Sequence, residues 1–188
     1  MNKNLLIEQF ESRMLSHMDS AYNLARWITG HDQDAEDVVQ EAYIRAFRGF
    51  EKYTDINSLS WLLTIVRNTS YNWIKSKHDY IHLIEFDESV HSSSDEPSFI
   101  IERNQGLRQE KILTSSGNKD LLRNALKDMP LIFREVVVLH EIEGLSYKEI
   151  ADIVGIPVGT VMSRLSRGRR RLQKTLSSRM NRRTRGEL

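Results

Sequence analysis

Apolar residues recur at three- and four-residue intervals through most of the chain, and no segment carries a competing strand-like alternation. Leu5, Leu6, Phe10, Met14, Leu15, Met18, Tyr22, Ala25 and either Trp27 or Ile28 predict a first helix over 5–29, stopped by Gly30. Asp34 then suits an N-cap, with Glu36 and Asp37 at the positive end of a second helix over 35–50. Val38, Val39, Ala42, Tyr43, Ala46, Phe47 and Phe50 form its core stripe. Gln40, Glu41, Ile44, Arg45 and Arg48 lie off the stripe, as a solvated face or a partner surface. Residues 49–60 form a loop, and a third helix runs from Leu59 to about Lys77. Leu62, Ile65, Val66, Thr69 and Trp73 share its buried side. Arg67, Asn68, Tyr71, Asn72, Lys75 and Lys77 can face outward. Such a mixture of rings, amides and cations suits single-stranded nucleic acid, although aromatic residues are more often core or surface filler.

From Leu121 the helical pattern resumes. Leu121, Leu122, Ala125, Leu126 and Met129 make one stripe ended by Pro130. Phe133, Val136, Val137, Val138, Leu139 and Ile142 make the next, ended by Gly144. Ser146 and Glu149 then have the spacing of a capping box, followed by Ile150, Ala151 and Val154 on one face. Gly155 suits a left-handed stop, and Pro157 suits the start of another helix. That helix carries Val161, Leu165, Leu172 and Leu176 as its apolar stripe. Two short helices, a Gly-containing turn and a basic second helix have the form of a helix-turn-helix. An ordinary helical hairpin with a solvated basic face has the same pattern. The fold class expected is therefore all-α: two small helical domains, the C-terminal one with a helix-turn-helix.

Composition separates these two domains. Residues 79–96 hold six acids and no Lys or Arg, and Ser, Gly and acidic clusters continue to Asp120. The expected division is a domain over 1–80, an acidic flexible linker over 81–117 with one helix near 98–113, a domain over 118–178 and a basic tail over 179–188. Residues 163–188 hold ten Lys or Arg against one acid, Glu187, although the net charge of the whole chain is only +1. Behind a helix-turn-helix such a run suits phosphate contact, with affinity falling steeply in salt.

The chain has no cysteine, so a disulfide framework and a thiolate metal site are both excluded. Its six histidines have no metal-ligand spacing, and no phosphate-binding glycine loop or GxSxG motif is present. Neither an enzyme nor a cofactor is expected. No run approaches the ~20 apolar residues of a membrane span, so the protein is read as cytoplasmic, without direct membrane insertion. Two other readings stay in view. A stand-alone dimeric DNA-binding regulator would need a dimerisation surface or ligand domain. A recombinase would need a nucleophile beside an arginine cluster, whereas Arg26, Arg45, Arg48 and Arg67 are dispersed.

Two stretches, DAEDVVQEAYIRAFRGF with WLLTIVRNTSYNWIKSKH and LKDMPLIFREVVVLHEIEGLSYKEIADIVGIPVGTVMSRLSRGRRRL, resemble the second and fourth regions of bacterial sigma factors of the extracytoplasmic-function (ECF) group. They cover about two thirds of the chain in that family's order. The resemblance implies binding to core RNA polymerase and delivery of it to promoter DNA. It implies that Asp37, Gln40, Glu41 and Arg45 dock on the polymerase. It places Arg67, Asn68, Tyr71 and Asn72 on the melted −10 element, with the loop 50–60 holding a flipped-out base. It places Pro157, Gly159, Thr160, Ser163, Arg164 and Arg167 on the duplex −35 element. An anti-sigma factor is implied as a regulator. Met162 stands where the family commonly has lysine. Gly168 stands where alanine is common, and a bend of the helix is expected there because glycine costs ~1 kcal/mol within a helix.

Overall fold

A computed structural model describes residues 3–53, 57–76 and 116–184, and every regular element among them is helical. The helix expected over 5–29 is divided. α1 (Lys3–Met14) and α2 (Met18–Thr29) flank a 3-10 turn at Leu15–His17. The tighter turn re-aims the buried face, from Phe10 and Met14 to Ala21, Leu24, Ala25 and Ile28. Leu15 and Met18, expected on the stripe, are exposed at this turn, and Leu5 near the start of α1 is exposed as well. Gly30 ends α2 in the left-handed region at φ 82°.

α3 (Asp32–Gly49) begins before Asp34, so Asp34 is not its cap. His31 holds that position without a side-chain cap bond. Asp32 and Asp34 occupy the first turn, where negative charge meets the helix dipole favourably. Asp32 also pairs with Arg26 of α2. α4 is Ser58–Ser76, close to the expected span. Leu24, Val38, Ala42, Ala46, Leu62, Leu63 and Val66 are sealed from solvent between α2, α3 and α4. Tyr43 reaches from α3 to donate to the Met14 carbonyl at 2.8 Å, and burial raises its phenol pKa to about 12.

α5 (Ser116–Lys127) extends the expected helix backward from Leu121. α6 (Leu131–Val137) passes directly into a π-helical turn at Val138–Ile142. α7 (Tyr147–Val154) has both halves of the capping box in place, and Gly155 follows at φ 76°. α8 (Val158–Thr184) is one helix of 27 residues. Gly168, where a bend is expected, does not interrupt the helix. A Cβ at Gly168 would lie 2.6 Å from Val137 Cγ2, so the glycine is what lets α8 approach α6 closely. The linker over 81–117 lies outside the described residues, apart from the start of α5, and so does the helix expected near 98–113.

The two halves are packed against each other. Core residues of α2 and α4 belong to the same apolar cluster as Leu131, Val136, Ile150 and Val154 of the C-terminal half. A second cluster of Leu126, Met129, Phe133, Val137 and Leu165 takes in Trp27 from α2. Polar bonds also cross: Asn57 donates to Glu149 at 2.7 Å, Asn23 to Glu143 at 3.3 Å, and Arg134 to the Trp27 carbonyl at 2.8 Å.

Candidate nucleic-acid and partner interfaces

α3 presents its outer face as the sequence predicts. Asp37, Gln40 and Arg45 are exposed, and Glu41 is half-buried. Arg45 and Glu41 form an i,i+4 pair at 2.7 Å. With Ile44, they line an open groove whose other wall is Thr69, Asn72, Trp73 and Ser76 of α4. The groove therefore brings Asn72 beside the residues expected to dock a protein, away from Arg67 and Tyr71.

The four α4 residues expected on the −10 element divide into two pairs. Asn68 and Asn72, four apart, are exposed. Arg67 and Tyr71, also four apart, turn towards the C-terminal half and converge on Glu135 of α6. Arg67 Nε and Nη2 donate to the two carboxylate oxygens at 2.9 and 3.3 Å, and the Tyr71 hydroxyl donates at 2.8 Å. The guanidinium also lies over the Tyr71 ring, 4.5 Å from its centroid. Glu135 is 1% exposed, and Arg164 of α8 stands 3.8 Å from it. Burial alone would lower the Arg67 pKa, but the adjacent Glu135 carboxylate outweighs it, and the net direction is upward. The Tyr71 phenol is pushed far up, first by burial and then by the same carboxylate.

On the helix-turn-helix, Pro157, Gly159, Ser163 and Arg167 are exposed, and Thr160 is half-buried. Met162, Ser166 and Arg170 extend the same open face. Arg164 does not belong to it: its side chain is 14% exposed and faces Glu135. The Ser163 hydroxyl donates to the Thr160 carbonyl at 3.0 Å, which orients it along the helix. Further along, Arg169 pairs with Glu141, Arg179 pairs with Asp128, and Arg171 lies over the Phe133 ring. The capping carboxylate of Glu149 accepts from the Ser146 backbone and hydroxyl, and these bonds hold its pKa below the ordinary carboxylate value.

In the loop after α3, Phe50 is buried, while Tyr53 packs against Trp61 with ring centroids 4.5 Å apart. Residues 54–56 lie outside the described residues. Among the described residues, no three His, Asp or Glu side chains come together as a metal site, and no helix is long and apolar enough to cross a membrane. The sequence reading missed Glu135, Asn57 and Glu149 as groups joining the two halves. Glu135 had one available signal: it is an acid inside the apolar run 131–139, on a helix otherwise committed to the core.

Comparison with known proteins shows which family the two helical units belong to. Residues 14–79 match Sigma-70 region 2, and residues 119–172 match Sigma-70 region 4. The chain is 32% identical over 162 residues to the ECF RNA polymerase sigma factor SigW of Bacillus subtilis, covering 85% of this chain and 84% of SigW. The chain belongs to the ECF RNA polymerase sigma factors. It is also 34% identical over 162 residues to the ECF sigma factor SigE of Mycolicibacterium smegmatis, covering 86% of this chain but only 59% of that relative. Among solved structures, the sigma factor RpoE of Bartonella quintana, in complex with the anti-sigma factor NepR, superposes with a TM-score of 0.66. It is 25% identical and covers 90% of this chain and 98% of its own. The α2–α4 unit is thus region 2 of an ECF sigma factor, and α5–α8 is region 4.

Proposed function

We propose that this sigma factor binds core RNA polymerase through region 2 and directs it to promoters, reading a −35 element with α8 and opening a −10 element with α4. The observation that carries the reading is the exposure, in one chain, of a helix-turn-helix face and of the separate α3 face. A duplex reader alone would have no use for the second surface. Asp37, Gln40, Glu41 and Arg45 dock the polymerase. Arg67, Asn68, Tyr71 and Asn72 serve the melted strand, where stacking and edge contacts must return the few kcal/mol spent on extruding a base. Pro157, Gly159, Thr160, Ser163, Arg164 and Arg167 serve the duplex. Ser163 and Arg167 stand where base edges and phosphates would be met, and Arg164 acts from behind by fixing α8.

The functional division is region 2 over 1–80, a linker over 81–117, region 4 over 118–178 and a basic tail over 179–188. The protein acts in the cytoplasm by binding rather than by catalysis, and an anti-sigma factor restrains it. The neighbouring RpoE structure, solved with an anti-sigma factor, supports that last element. The test is promoter opening by the purified protein, core RNA polymerase and a pool of genomic promoter fragments, with unpaired bases mapped chemically. Discrete melted sites that need both proteins are expected. Tight, specific duplex binding by the protein alone, without core-dependent melting, would point instead to a stand-alone regulator.

A further inference from the structure

Glu135 belongs to region 4, yet its strongest partners belong to region 2. Arg67 grips both of its oxygens in the fork geometry that guanidinium groups use for carboxylates and phosphates alike, and Tyr71 adds a third donor. This arrangement offers the two non-bridging oxygens of a phosphodiester the same three hydrogen bonds. We propose that Glu135 is an internal ligand standing in for a DNA phosphate on Arg67 and Tyr71, so that region 4 closes part of the strand-binding face of region 2 until the two regions separate. The proposal rests on the assignment of α4 to the melted strand.

Two features of the charged groups favour opening of this closure. Glu135 keeps Arg164, a partner within region 4, at 3.8 Å, so parting the regions does not strand an unpaired carboxylate. Glu135 then stays with Arg164, and the Arg67 guanidinium is released to the region 2 face. Asn57–Glu149, Asn23–Glu143 and Arg134–Trp27 also cross the boundary, and they part together with the apolar cluster that the two regions share. Asn68 and Asn72 remain exposed throughout, so the closure blocks the charged half of the face and leaves the amide half accessible. A protein whose competent state is a small fraction of the population binds more weakly by that fraction.

The natural absence of cysteine permits labels at chosen sites. Spin labels at Arg48→Cys and Gln173→Cys, both exposed, report the separation of the regions in the full chain. The wild-type background should give one narrow distance distribution, and Glu135→Gln should broaden and lengthen it. In parallel, the free protein is titrated with the fluorescein-labelled non-template strand of a mapped melted site. Glu135→Gln should bind it about tenfold or more tightly than wild type. Binding to the −35 duplex is measured beside it, because Glu135 also faces Arg164: a fall there reports loosening of α8, and the strand affinity alone reports the closure.

A second variant guards against a folding defect. Asn23→Cys with Glu143→Cys, bridged by a short cleavable bis-maleimide, should lose single-strand binding and regain it on cleavage. Equal strand affinity for bridged and cleaved protein overturns the closure. So does an unchanged distance and affinity in Glu135→Gln while core-dependent opening proceeds normally. If neither wild type nor variant opens any promoter with core polymerase, the functional assignment itself fails.

Discussion

Gly168→Ala provides a direct test of how α8 is seated. Alanine is favoured over glycine within a helix by ~1 kcal/mol, so an unobstructed substitution would stabilise the protein. Here the new methyl would lie 2.6 Å from Val137 Cγ2, with the Phe133 carbonyl and Cβ at 3.5 and 3.6 Å behind it. Optimal carbon–carbon separation is ~3.5–4.0 Å, so the overlap is about 1 Å. Val137 is buried, and a β-branched side chain in a helix has one strongly preferred rotamer, so it cannot swing aside cheaply. Overpacking of this kind costs ~1–3 kcal/mol, and the stiffness of Val137 favours the upper end. The net expectation is a loss of about 1–2 kcal/mol, after the gain in helix propensity is set against the overlap. Val137→Ala alone should cost about 2 kcal/mol through the void it leaves. In the double variant the methyl introduced by Gly168→Ala occupies part of that void, so the two losses should not add, and a coupling of about 1–2 kcal/mol in favour of the pair is expected. Urea unfolding of the four proteins, compared at constant m-value, measures the cycle. Stabilisation by Gly168→Ala alone, or strict additivity, would refute the close-approach argument.

Other expectations follow from the same geometry. Ser146→Ala removes one half of the capping box and should cost ~1 kcal/mol in thermal or urea unfolding. Glu149 has a folded pKa below its ordinary 4.5, so its stabilising contribution is complete above pH 4.5 and lost as pH falls through the folded value. Removing Ser146, the main cause of that shift, should flatten this part of the acid-unfolding curve. His17 is also shifted downward, by burial, from its ordinary 6.5, but for a base this means that the folded state resists protonation. Stability should therefore decline as pH drops below 6.5, and His17→Gln should lessen the decline. Arg167→Ala should weaken −35 duplex binding with loss of preference at one or two base pairs if it reads a base edge, by ~1–3 kcal/mol, measured across a set of substituted duplexes. Asn68→Ala should impair promoter melting more than polymerase binding. A larger loss in polymerase binding would move α4 to the docking surface.

Helical periodicity made α3, α4 and the helix-turn-helix legible, because each has a continuous apolar stripe and local stop signals such as Gly30, Pro130 and Gly155. It joined α1 to α2, since a 3-10 turn changes the phase of a stripe without any glycine or proline to mark it. The capping box was readable because it depends on residues three apart. Asp34 was misplaced as a cap because acids in the first turn and at the cap look alike in sequence. Gly168 looked like a weak point, and only the neighbouring α6 reveals that it is a site of close packing. The outward positions of α4 appeared as one set, but Arg67 and Tyr71 are separated from Asn68 and Asn72 by what region 4 lays against them. No local pattern encodes that, since Glu135 lies 68 residues from Arg67.

The unbroken length of α8 has a mechanical consequence. At 1.5 Å per residue its 27 residues make a rod of ~40 Å, with the open face that carries Ser163 and Arg167 towards one end and the arginine-rich stretch at the other. Close seating on α6 at Gly168 would act as a fulcrum between them once the Arg179–Asp128 pair and the Arg171–Phe133 contact on the far arm are released. A force on the far arm, such as attraction of its arginines to an acidic surface, would tilt the near arm in the opposite sense. The reading angle of the helix would therefore be set partly by contacts remote from the bases it faces.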